Sequence, residues 1–99
     1  MITFTRVGVI APGKAVAVAA FAQRVIDFYR TQYDQKVEVL RPIGGNPNRI
    51  AWVARYPDLA ALDSLLTKSQ ADPKWLELLA AGADLFIPGS IHDEIWRGA

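Results

Sequence analysis

The chain has no cysteine, which removes disulfides, thiolate metal ligands and a cysteine nucleophile, and fits a reducing compartment such as the cytoplasm. It has one histidine, too few for an imidazole-based metal cluster, since metal sites usually take three or four protein ligands. It also lacks a charge imbalance. Eleven basic and 10 acidic residues give a formal net charge of +1, with no long run of either sign, so neither a nucleic-acid nor an anionic-membrane partner is expected. No stretch approaches the roughly 20 apolar residues that span a bilayer. Ala15–Ala22 is apolar but short, and Gln23–Arg30 continues its helical pattern, so a cleaved signal is not expected. Nothing in the composition calls for a cofactor.

What is present is apolar matter. Hydrophobic residues make up 52% of the 99 positions, and three are tryptophan. A chain of this length forms one domain, residues 1–99, and buries roughly two thirds of its unfolded surface. So apolar a composition implies either a dense core or a surface kept for association.

Along the chain, Ile2–Ala11 reads as a strand closed by Pro12–Gly13. Lys14–Tyr33 reads as a long helix, with Val18, Phe21, Ala22, Val25, Phe28, Tyr29 and Tyr33 at helical spacing on one side. Val37–Arg41 is a second strand, and the Pro-, Gly- and Asn-rich segment Pro42–Asn48 turns it into a third, Arg49–Tyr56. Asp58 is placed to cap a second helix bearing Leu59, Leu62, Leu65 and Leu66. Asp72–Pro73 starts a short third helix, Pro73–Ala81, and Gly82 stops it. Ile91–Arg97 is the last strand. The order β-α-β-β-α-β predicts a ferredoxin-like α+β domain, a four-stranded antiparallel sheet with helices on one face.

Residues that alternate along a strand point to opposite sides of a sheet. Odd positions in these segments are mostly small or β-branched (Val7, Val9, Val37, Val39, Ala51, Val53, Ile91, Ile95) and suit packing under helices. Even positions combine aromatics with charges: Phe4, Arg6, Glu38, Leu40, Trp52, Tyr56, His92, Glu94 and Trp96. Taken as one face, the even positions are too apolar for water, and a second copy across a two-fold axis would bury them. On that face Arg6, Glu38, Trp52 and Trp96 are the candidate ligand-binding residues. The guanidinium would hold an oxygen, and the indoles would stack on a planar small aromatic ligand. His92 and Glu94 are the candidate catalytic pair, an imidazole titrating near neutral pH beside a carboxylate. The structural alternative is an Arg–Glu pair with the tryptophans as packing, within the barrel or across its interface, and for His92 a partly exposed histidine at the strand entry.

Three further features have plainer explanations. Gly8–Ala15 approaches a phosphate-binding loop, but alanine replaces the magnesium-binding hydroxyl at position 15 and Gly8 lies inside a strand. Trp75 is read as core packing or a pocket wall, and Tyr29 and Tyr33 as part of the buried helix stripe. Arg41, Arg49 and Arg55 bracket the hairpin, where they form either a mild anion site or solvated strand ends.

The layout, and Arg49–Trp75 above all, resembles the dimeric α+β barrel superfamily, with its NIPSNAP-like and antibiotic-biosynthesis-monooxygenase-like members. The matching residues are the strand Ile50-Ala51-Trp52-Val53-Ala54-Arg55-Tyr56, the helix after it, and Asp72-Pro73-Lys74-Trp75 opening the next. The Asp-Pro-x-Trp step is closer to NIPSNAP-like members. The resemblance implies a homodimeric barrel with a ligand cavity between each sheet and its helices or loops. Its members include cofactor-independent monooxygenases, isomerases and haem-degrading enzymes, but no catalytic signature transfers residue by residue. Two readings stay open. One is a small-molecule-binding homodimer, extending to a cofactor-independent monooxygenase or isomerase acting on an aromatic or polyketide-like compound. The other is a non-catalytic dimeric scaffold or interaction module. A cavity of roughly 300 Å³ or more would mark the first. An interior filled by Trp52, Trp96 and Leu40 would mark the second.

Overall fold

The computed structural model covers all 99 residues. Its elements run β1 (Ile2–Val9), α1 (Ala15–Tyr33), β2 (Glu38–Leu40), β3 (Arg49–Tyr56), α2 (Leu59–Gln70), α3 (Pro73–Ala81), a 3₁₀ turn (Ala83–Leu85) and β4 (His92–Arg97). The sheet has the order β2-β3-β1-β4, and every pairing is antiparallel. This is the ferredoxin-like α+β arrangement read from the sequence. No helix is long and apolar enough to cross a membrane.

The capping residues act as their types require. The Asp58 carboxylate accepts the Ala61 N–H at 2.8 Å, satisfying one of the open donors at the start of α2. Asp72 accepts the Lys74 N–H at 2.9 Å, and Pro73 occupies the first turn of α3, where its missing N–H costs nothing. The other Asp72 oxygen accepts the Tyr33 hydroxyl at 2.7 Å, tying the end of α1 to the start of α3. Gly82 follows α3 with φ near −101°, so it is not a left-handed stop. Its missing side chain matters for another reason: a Cβ there would lie 2.4 Å from the Phe21 ring.

The core lies between the helices and one face of the sheet. Ile2, Ile50, Trp52, Ala54 and Tyr56 from the strands pack with Val18, Phe21, Val25, Tyr29, Leu62, Leu65, Trp75 and Leu78 from the helices. The even positions of β1 and β3 therefore lie under the helices, and the odd positions do not. This reverses the expectation for those two strands. The large rings of Trp52 and Tyr56 meet the helices together with Ile2, Ile50 and Ala54, and the rings fill space between layers that small side chains would leave empty.

The pairing register also divides the even positions. Ile2 faces Tyr56, so β1 and β3 keep the same parity. Arg6 faces Asp93 and Thr3 faces Trp96, so parity is exchanged between β1 and β4. Val39 faces Trp52 and Glu38 faces Val53, so it is exchanged again between β3 and β2. The helix-covered face thus carries Phe4, Arg6, Val39, Trp52, Tyr56, Asp93 and Ile95. The opposite face carries Thr3, Thr5, Val7, Glu38, Leu40, Ala51, Val53, His92, Glu94 and Trp96, and no element of the chain covers it. Glu38, His92, Glu94 and Trp96 do not share a face with Arg6 and Trp52. The numbers of two residues can be compared only within a strand, since the loops between strands set the offset.

Candidate functional site

Between the sheet and the helices is a cavity of about 130 Å³, short of the roughly 300 Å³ that would mark a ligand site of ordinary size, so any occupant is small. β1 supplies Phe4 and Arg6, and β3 supplies Trp52, Ala54 and Tyr56. The helical wall includes Phe21, Val25 and Tyr29 from α1 and Trp75 from α3. Phe86 closes one side. It is held beside β1 by the Ile87 N–H donating to Val9 O at 2.8 Å and the Ala11 N–H donating to Leu85 O at 2.9 Å.

Two aromatic groups shape the interior. Phe21, Trp52 and Phe86 meet edge to face, with ring centroids 5.7 to 6.2 Å apart. Tyr29 meets Trp75 at 4.9 Å, and Phe28 lies 5.5 Å from the same indole. Such offset contacts place ring edges against ring faces and fix the walls more firmly than aliphatic packing would. Trp75 packs on the long helix and also walls the cavity, which joins the two roles its sequence position suggested.

Arg6 is the one charged residue of the lining. Its Nε donates to Asp93 Oδ1 at 2.7 Å and its Nη2 to Asp93 Oδ2 at 2.9 Å, a bidentate pair. This hydrogen bonding holds the guanidinium pKa above its ordinary value. The carboxylate beside Arg6 is therefore Asp93 rather than Glu94. The alternation of Ile91, Asp93 and Ile95 was the available signal, since two β-branched apolar residues mark the inward side of the last strand.

Tyr29 and Tyr56 also line the cavity. Burial raises both hydroxyl pKa values. Tyr56 is pushed up to about 12, while the neighbouring Ser69 hydroxyl moderates the rise at Tyr29. Both are neutral O–H groups near neutral pH. Trp52 keeps its indole Nε1 buried with no hydrogen-bond partner. The sequence puts Tyr56 on the even face without a ligand role and Tyr29 in the helix stripe, because no local pattern reports convergence on a cavity.

The remaining candidates lie elsewhere. His92 Nε2 is 3.7 Å from Glu94 Oε1 on the uncovered face, and Glu38 pairs with Arg55 at 2.8 Å on that same face. Trp96 is 58% exposed and Leu40 50%, so neither fills the interior. Arg49 donates to the loop carbonyls of Gly44 and Asn46, and it forms no cluster with Arg55. No group of three His, Cys, Asp or Glu side chains is placed to hold a metal ion.

No protein-family model and no curated protein matches the chain. Solved structures do. An uncharacterised NIPSNAP domain protein from Burkholderia xenovorans is 18% identical with a TM-score of 0.84, over 100% of this chain and 95% of the other. A NIPSNAP family protein of unknown function from Agrobacterium tumefaciens is 20% identical with a TM-score of 0.83, over 100% and 88%. SnoaB, a cofactor-independent oxygenase from Streptomyces nogalater, is 17% identical in a mutant form with a TM-score of 0.72, over 98% and 91%. The chain has the fold of NIPSNAP and antibiotic-biosynthesis-monooxygenase-like proteins, the group its sequence resembled.

Proposed function

We propose that this protein binds a small molecule in the cavity between its sheet and helices, and that it does so as a homodimer. The cavity carries the reading: seven aromatic side chains, Phe4, Phe21, Tyr29, Trp52, Tyr56, Trp75 and Phe86, and one ion-paired arginine converge on a space that no side chain fills. An interior packed only for stability leaves few voids larger than a water molecule. Arg6 and Trp52 are the ligand-contacting residues among those the sequence singled out. A finer reading is a cofactor-independent monooxygenase or isomerase acting on an aromatic compound, supported by the fold shared with SnoaB.

The dimer rests on the uncovered sheet face. Val7, Ala51, Leu40 and Trp96 lie there between the Arg55–Glu38 ion pair and the neighbouring His92 and Glu94, a partly exposed apolar field bordered by polar groups. A second copy laid on this face would bury it, and His92 and Glu94 would then line the space between two sheets. Native mass spectrometry of gently purified protein tests both parts. A dimer carrying a substoichiometric small mass is expected, and Val7→Asp should give a folded monomer. A dimer with an empty interior that also takes up no added ligand would favour the non-catalytic scaffold. A monomer at micromolar concentration would refute the homodimer.

A further inference from the structure

The chemistry of the cavity selects among ligands, an inference that rests on the small-molecule reading above. We infer that the cavity takes a neutral molecule about one ring in size, carrying a hydrogen-bond acceptor such as a carbonyl oxygen, and discriminates against carboxylates and phenolates.

The first observation is charge. Of the 17 lining residues 15 are hydrophobic, and only Arg6 bears a charge. Its Nε and Nη2 are taken by Asp93 at 2.7 and 2.9 Å, so the pair brings little net charge to the interior, and an anion at the remaining Nη1 edge would sit close to the Asp93 carboxylate. An entering anion would have to displace Asp93 or lie beside it, in a site with no second cation, and an anion moved from water into apolar surroundings without a partner is strongly disfavoured. The arginine that looked like an anion anchor in the sequence is already neutralised within the chain.

The second is the supply of donors. Trp52 Nε1 is buried without an acceptor. The Tyr56 hydroxyl takes no part in the side-chain hydrogen bonds of the fold, and it stays protonated near neutral pH. The Tyr56 hydroxyl is free to donate, and the indole N–H, enclosed by its neighbours, can donate only where the wall yields to a ligand, so an accepting ligand oxygen would meet donors the protein leaves open. The third is size. At about 130 Å³ the space lies below the range for drug-sized ligands. It is close to the volume of about 150 Å³ of an engineered apolar cavity that binds benzene.

The test titrates the full-length protein with four probes, followed by tryptophan fluorescence and ligand-observed NMR: acetophenone, benzoate, ethylbenzene and benzophenone. Acetophenone should bind at least about tenfold tighter than benzoate and about tenfold tighter than the two-ring benzophenone. It should bind about threefold tighter than ethylbenzene, an advantage removed in Trp52→Phe with Tyr56→Phe. Ala54→Leu, which puts bulk into the cavity, should abolish binding, and Leu79→Trp at a more exposed part of the wall does the same should the first variant not fold. Benzoate binding as tightly as acetophenone would overturn the neutral preference and leave the small-molecule reading standing. Tightest binding by benzophenone would overturn the size limit. No binding by any probe would overturn this inference and the small-molecule reading together.

Discussion

Trp52 and Trp96 belong to the same sheet and occupy opposite environments. Trp52 is 9% exposed, wedged edge to face between Phe21 and Phe86, and Trp96 is 58% exposed on a face that nothing in the chain covers. Both sit at even positions, and parity alone puts them together. What separates them is the ladder. Trp52 pairs with Arg6 and Trp96 with Thr3, and Arg6 and Thr3 point to opposite sides of β1. A sheet of this kind has one face specified by its own helices and one left for something else. The same residue type is buried packing on the first and exposed apolar surface on the second.

The largest effect that could break this comparison is truncation of the two indoles. Trp52→Ala should cost about 3–5 kcal/mol, since it empties a packed aromatic triangle. Trp96→Ala should cost less than about 1 kcal/mol in dilute protein. Denaturant titrations at two protein concentrations would read this. A loss in Trp96→Ala that grows with concentration would locate the second copy on the uncovered face, and equal losses in both variants would refute the division of the sheet.

An intermediate effect is expected where the helical layer meets the aromatic group. Gly82→Ala places a methyl 2.4 Å from the Phe21 ring, so the ring must shift towards Trp52 and the cavity. Overpacking of this kind costs about 1–3 kcal/mol. Thermal unfolding should show the loss, and probe binding should fall with it. Unchanged stability would mean that the ring has room to yield.

The smallest effect concerns pH. The Tyr56 pKa is raised from 10.0 to about 12, chiefly by burial. A raised pKa means that the folded state holds its proton longer than the unfolded state. The contribution is therefore fully present below pH 10 and declines as pH rises towards about 12. Stability measured across this window should fall, and Tyr56→Phe should flatten the fall. An identical slope in the variant would assign it to Tyr33, whose hydroxyl is also raised to about 12, by burial and by its bond to Asp72. Arg55→Ala on the uncovered face, where Glu38 is its exposed partner, should change little by comparison.

Much of the fold was legible because its determinants are local. The aspartates at positions 58 and 72, Pro73 and the 3.6-residue spacing of the helix stripes act within a turn or two of chain. They set α1, α2 and α3 to within a residue or so of where the sequence places them. The candidate site was legible in part. Arg6 and Trp52 lie in the cavity, whereas Glu38, His92, Glu94 and Trp96 lie across the sheet from it. Asp93, Tyr29, Tyr56 and Phe86 reach the site or its arginine from separate strands, helices and loops, and no short segment carries their relation to one another.

The sequence by itself determined the elements, their caps and the alternation within each strand, because each depends on neighbours a few residues apart, and the succession of elements pointed to the antiparallel sheet. Only the tertiary structure decided which alternating sets share a face, which carboxylate meets Arg6 and that a space remains under the helices. Side-chain direction repeats every two residues, so an offset of one residue in a long-range pairing exchanges every side chain between the faces, and that offset is set by the packing of the whole domain.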